Sequence, residues 1–456
     1  MMNLRSVGRR AAAVGAIAIP LVFSACDPKK ELLEPQQPGV ISPGDIQNAT
    51  GAEALHVGAL SRMKRALNGF SDAAWNWAGL FTDEFKSADT FSQRNDADQR
   101  NLQDNDALVT AIWNALQQGR GYARTAADAL IQYEPSAKAK IAEMYMTIGA
   151  LELTLAQEFC NGIPLGETVD GTPTYTEPLT TAEVFTQAIA RFDSALTFLG
   201  SASDGASKSV RNATLVLKAR AQVDLAKFAD AATTVAGIPT SFEYDLTFSN
   251  TTSDNQWWVL GPSIERYALG DSIDTSGPVL NAVPFASSDD PRVPVHDYKK
   301  AGEDNQTPFV WTTRLDGRDD PLPLASGIDA RLIEAEAKLQ TGDFAGMMKI
   351  LNDLRASPQT IGAFEVPAMP ALATMPTTKD AAADLLFREK AYWQFGRGVR
   401  MDDLRRLVRQ YGRAQDQVFP SGRFVKTGNY GSEVAFPVPD AEKTNPNFSG
   451  CIDRNA

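Results

Sequence analysis

The sequence predicts an all-α protein in which paired helices form a scaffold interrupted by long loop-rich insertions. Three observations carry that prediction. Apolar residues recur at three- and four-residue steps through most of the chain, the periodicity of a single helical face. Short turn signals join these segments in pairs, and alanine and glycine alternate with large side chains, which lets neighbouring helices interdigitate. Between the helical blocks lie stretches rich in Gly, Pro, Asn and Asp, at 161–178, 237–323, 358–376 and 415–439, too long to be passive connections.

Taken in order, the first strong signal places Ile141, Met144, Tyr145, Ile148, Leu151, Leu155 and Phe159 on one stripe, behind Pro135-Ser136 and ahead of Asn161-Gly162. That is one helix of about 23 residues. A second helix runs from Thr181 to Leu199, with Thr180 or Thr181 as its cap and Phe185, Ile189, Phe192 and Leu196 on its apolar side. A third carries Leu215, Ala219, Val223 and Ala226, and 228–235 follows at once. Segments 332–339 and 344–354 form a pair hinged at Thr341-Gly342-Asp343, and 381–411 reads as one long helix or two. Alanine-rich pairs of this kind resemble degenerate tetratricopeptide units, which implies a right-handed superhelix. An irregular bundle has the same helix count, and periodicity does not separate the two.

The first 25 residues are an address. Arg5, Arg9 and Arg10 precede an uncharged run from Ala11 to Ala25, too short to span a bilayer and interrupted by Pro20. Phe23-Ser24-Ala25-Cys26 resembles the bacterial lipobox, which implies cleavage before Cys26 and acylation of that cysteine. Residues 26–44 form a Pro-rich leader, and 45–456 form a single domain. Losing three arginines takes the formal charge from −12 to −15, a balance that repels a phosphate backbone and argues against a nucleic-acid partner. His56 and His296 are the only histidines, and no G-x-S-x-G, H-E-x-x-H, phosphate-loop or EF-hand pattern is present. No catalytic residue, metal ligand or cofactor is assigned. Cys160 and Cys451 remain, and the sequence leaves their pairing open.

The C-terminal third carries a family resemblance. Arg331-Leu-Ile-Glu-Ala-Glu-Ala-Lys-Leu339 and Ile350-Leu-Asn-Asp-Leu-Arg355 are followed by Arg388-Glu389-Lys390, Gly398-Val-Arg400 with Asp403-Leu404-Arg405, Phe436-Pro437-Val438-Pro439 and Asn445-Pro446-Asn447. These pieces resemble the SusD/RagB family of outer-membrane nutrient-binding lipoproteins. Glu158 to Leu165 and Ser288-Asp-Asp-Pro291-Arg292 fit in the same order. Arg397 and Lys390 depart from the family pattern, where Glu and Arg are usual. The resemblance implies a surface-exposed, lipid-anchored protein that captures an oligosaccharide, without chemistry, for a SusC-like TonB-dependent transporter. It also puts ligand contacts in the polar tract that follows Trp75 and Trp77. A periplasmic tetratricopeptide-type scaffold and a surface glycosidase are the alternatives.

A sugar site needs flat aromatic platforms beside short polar side chains. On that criterion Trp311, Trp257, Arg94, Asn95 and Tyr298 are the candidate ligand contacts. Trp75, Trp77 and Trp113 sit in helical apolar patterns and read as core. The interleaved charges between Arg388 and Arg406 read as an ion-pair network docking the last helix, with an anion site as the alternative.

Overall fold

A computed structural model describes residues 47–169 and 172–456 of the chain. The signal segment 1–25, Cys26 and the 26–44 leader lie outside the described residues. Among those described, no helix is long and apolar enough to cross a membrane.

Helix α1 (Ala49–Leu67) starts where the Asn48 side chain accepts the Gly51 amide, and the short α2 (Ala74–Phe81) follows. Strand β1 (Phe85–Ser87) and α3 (Ser92–Asp98) lead to α4 (Ala107–Tyr133), which the Asp106 carboxylate caps. Next come α5 (Lys138–Glu158), a small hairpin of β2 (Glu167–Val169) and β3 (Thr172–Thr174), and α6 (Thr181–Leu199). Thr180 and Glu183 exchange side-chain and backbone bonds in a capping box, the reason α6 begins at the predicted residue. Helices α7 (Gly205–Asp224) and α8 (Phe228–Val235) complete the first block. Consecutive members pack side by side, α1 on α4 and then α4 through α8 in turn. The interleaved small residues do what their pattern implied. A Cβ at Gly149 would fall 2.6 Å from the Phe192 ring, so glycine is what lets α5 and α6 approach.

The 237–323 insertion folds as short antiparallel pairs. Its strands are β4 (Glu243–Leu246), β5 (Tyr267–Leu269), β6 (Ile273–Asp274), β7 (Gly277–Pro278), β8 (Val295–Ala301) and β9 (Pro308–Thr312). β5 pairs with β1, β6 with β7, β8 with β9, and β4 with β10 (Leu322–Ser326). Trp257 and Trp258 occupy a helical turn.

The second helical block is α9 (Gly327–Gln340) and α10 (Phe344–Arg355), then the hairpin of β11 (Gln359–Ile361) and β12 (Phe364–Val366), then α11 (Lys379–Trp393) and α12 (Val399–Tyr411). The 381–411 signal is thus two helices. They break at Gly398, whose φ of 68° suits glycine and whose Cβ would lie 2.3 Å from Trp75. α9 packs on α8, joining the two blocks.

The interleaved charges are indeed a buried ionic spine. Arg397 makes a fork to Asp329 at 2.7 and 3.0 Å, while Glu336 accepts from Arg406, from Lys390 at 3.3 Å and from the Tyr411 hydroxyl at 2.7 Å. Glu389 joins Arg292 at 2.8 Å to Arg355 at 2.9 Å, tying the insertion to α10 and α11. Burial opposes the charge on Glu336, but Arg406 and Lys390 outweigh it and hold the carboxyl down to about 2. Arg405 donates to the Ala156 and Gln157 carbonyls at the end of α5, fixing α12 across the first block. Cys160 and Cys451 form a disulfide, linking the residues just past α5 to the C-terminal segment.

Candidate functional site

The five nominated ligand contacts divide by burial. Trp257 and Trp311 lie in the core, on either side of Phe85, with ring centroids 4.2 and 5.2 Å from it. Their indole N–H groups donate to the Gly396 and Leu315 carbonyls at 2.8 and 3.2 Å. Neither ring has a face left for a ligand, so both leave the candidate set. Of the polar residues beside Trp311, Thr312 and Arg314 are buried, while Thr313 and Asp316 are exposed. Arg314 donates to the carbonyls of Arg292, Tyr392 and Trp393.

Arg94 and Asn95 fall on α3, in the tract that the family resemblance singled out. Arg94 is buried and fully committed. It forks to Asp72 at 2.8 and 3.1 Å and reaches Asp89 at 2.7 Å. Asp89 also takes Arg266 at 2.8 Å; burial disfavours its charge, and the two arginines overcome this and lower its pKa. Lys426 closes the floor, donating to the Asp89 carbonyl at 2.6 Å and the Asn95 side-chain oxygen at 2.7 Å, with Asp304 at 3.0 Å. On this fixed floor Phe91 stands 47% exposed, and the Asn95 amide nitrogen has no protein partner among the described residues. Phe91 is not among the candidate contacts read from the sequence; its position one residue ahead of a polar helix was the available signal.

Tyr298 lies on β8, against His296 at 4.4 Å and Phe309 at 4.8 Å. None of its ring or charge contacts reaches Arg94 or Asn95. Its hairpin reaches the surroundings of the floor instead: past β8, the Asp304 amide donates to the Ala88 carbonyl at 2.9 Å, and Glu303 stands 3.7 Å from Arg266.

A second surface escaped sequence inspection. A groove of about 580 Å³ runs between α4, residues 164–167 and 174–175, and the C-terminal residues Glu442 and Asn445. Tyr122 and Tyr175 stand at it, 42% and 52% exposed, and Asn114 and Gln118 line it without side-chain hydrogen-bond partners among the described residues. Asn114, Gln118 and Tyr122 are four residues apart, so a polar helical stripe was the signal to read.

Buried acids form a separate cluster beneath β1. Burial pushes Asp83 and Glu84 up to about 7, only partly offset by Tyr430 and Arg400 at Asp83 and by Arg400 and the Gly396 amide at Glu84. A carboxyl poised there has the proton affinity of a general acid, but neither side chain reaches a surface where a substrate bond could meet it.

No protein-family profile and no curated protein matches the sequence. Solved structures do. A laminarin-binding SusD-like protein superposes with a TM-score of 0.65 at 16% identity, covering 89% of this chain and 99% of its own. A SusD superfamily protein from Parabacteroides distasonis gives 0.62 at 14% identity, with coverage of 88% and 98%. One from Bacteroides vulgatus gives 0.58 at 14%, with coverage of 88% and 98%. At these identities the likeness is one of fold, and it extends over nearly the whole length of each partner.

Proposed function

We propose that this chain, which has the fold of the SusD superfamily, is an outer-membrane lipoprotein anchored through Cys26. It captures a glycan at the cell surface and passes it to a SusC-like TonB-dependent transporter. Capture is by stacking and hydrogen bonding, with no bond made or broken. One observation carries this reading: the exposed Phe91 ring stands on a floor whose charges are already paired, beside the free Asn95 amide. A ring gives a sugar's C–H face its apolar contact, the amide takes a hydroxyl, and the paired floor keeps both in place without drawing in ions. Arg94 acts through position, holding α3 against Asp72 and Asp89. Tyr298 contributes through the hairpin whose far turn abuts the same floor.

Because a protein of this fold binds laminarin, laminarin oligosaccharides are the first probe. Phe91→Ala is expected to weaken their binding about tenfold, roughly 1.4 kcal/mol, in titration calorimetry. Unchanged affinity in Phe91→Ala together with a loss in Tyr122→Ala would move the site to the α4 groove, whose two exposed tyrosines make it the second reading. Release of shorter sugars would instead favour the glycosidase. Failure of labelled palmitate to enter the wild-type chain, or its equal entry into Cys26→Ser, would remove the anchor. Resistance of the protein to protease on intact cells would favour a periplasmic scaffold.

A further inference from the structure

Most of the charge between residues 388 and 406 is consumed by the ionic spine, but two arginines are not. They meet at a cavity of about 280 Å³ between α11, α12 and residues 281–284. Arg400 is only 6% exposed, and its sole hydrogen bond runs from Nε to the Thr82 carbonyl at 3.1 Å. Among the described residues its two terminal nitrogens have no protein partner, neither is sealed from solvent, and the residue lines the cavity. Arg388, on the same wall, is exposed and has neither a hydrogen bond nor an ion pair among the described residues.

The acids that face this space are already committed. Asp384 pairs with Arg413 at 2.9 Å, and Asp403 is held by Lys390 and by Arg406 at 3.1 Å. Glu84 and Asp83, the other acids near Arg400, are both pushed up to about 7 by burial, so near neutral pH each carries only part of its charge. Among the described residues the cavity therefore presents two guanidinium groups without an ion pair, beside an apolar wall that includes Phe387 and Leu404. A buried arginine with free terminal nitrogens is costly unless something accepts from them. Guanidinium is also the group best shaped to hold a planar or tetrahedral oxyanion.

We propose that this cavity binds a small organic anion of monosaccharide size, its carboxylate or phosphate held between Arg400 and Arg388 and its body against Phe387. The volume lies just below the range of about 300–1,000 Å³ for small-molecule sites, which suits a small solute. The site is separate from the Phe91 floor and does not depend on the glycan reading.

Calorimetric titration of the protein at low ionic strength with sodium glucuronate, inorganic phosphate and neutral glucose tests it. Either anion is expected to bind saturably where glucose does not, and Arg388→Gln to weaken that binding about tenfold, the loss of one charge-assisted hydrogen bond. Tighter binding of glucuronate identifies a sugar acid, and tighter binding of phosphate identifies a phosphorylated solute. Arg388 has no structural partner, so its substitution leaves the fold intact; circular dichroism checks this. Lack of saturable binding by both anions, equal affinity in Arg388→Gln, or glucose binding as tightly as glucuronate would each overturn the proposal.

Discussion

Two buried clusters of charge in this protein are built from the same residue types and respond to protons in opposite ways. In the spine of α9, α11 and α12, acids meet cations directly: Glu336 takes Arg406 and Lys390, and Asp329 takes Arg397. Beneath β1, Asp83, Glu84 and Asp98 are buried with too little positive charge, and Asp98 is raised first by burial and then by Asp83 itself. Burial is the leading influence at both places; at Glu336 and Asp329 the adjoining cations overcome it, and at Asp83 and Glu84 they do not. An acid held low stabilises the fold once the unfolded chain would be ionised and loses that contribution as pH falls through its folded value. For Glu336 the window runs from about 4.5 down to about 2. For Glu84 and Asp83 the fold keeps protons that the unfolded chain releases, so stability falls as pH climbs from about 4 to about 7 and then levels off.

The largest test breaks the spine. Glu336→Ala leaves Arg406 and Lys390 buried without their shared acid and is expected to cost about 3–5 kcal/mol in urea unfolding at pH 7. A loss below about 1 kcal/mol would mean the spine is not a stabilising unit. The next test relieves the other cluster. Glu84→Gln keeps the oxygen that accepts the Gly396 amide and removes the charge, so it should stabilise the protein at pH 8 by about 1–3 kcal/mol. It should also flatten the stability profile between pH 5 and 8; an unchanged slope would assign that slope to other groups. The smallest effect concerns aim. Ser326 accepts the Asp329 amide at 3.2 Å while Asp329 accepts the Ser326 amide at 2.9 Å, so Ser326→Ala should cost about 1 kcal/mol, read as a shift in the urea midpoint. A larger cost would show that this cap also orients Asp329 for Arg397.

Local signals explain what the sequence made legible. Thr180 and Glu183 are three residues apart, so the start of α6 could be read from neighbours alone. The alternation of small and large residues marked the helical array, and the tight contact of Gly149 with Phe192 is its physical content. The ordered motifs from Arg331 onward pointed to the family whose fold the chain has. The candidate site was legible in part: the tract holding Arg94 and Asn95 forms the floor, while the ring that stands on it is Phe91. Trp257 and Trp311 were misplaced because polar neighbours imply solvent only when they face it. Thr312 and Arg314 turn their hydrogen bonds inward, to the amide of Arg314 and to carbonyls as far along the chain as Trp393. Tyr122 and Tyr175 converge across segments about 50 residues apart, and nothing at either position announces the other.

The bond between Cys160 and Cys451 spans 291 positions of the chain, and it has a practical corollary. A single cut within the intervening stretch, at the exposed residues Ala373 to Met375 for instance, yields two fragments that stay joined. They would migrate together on a gel until a thiol is added. A molecule nicked there by a neighbour's protease keeps both halves in one particle, and only a reducing milieu lets them drift apart.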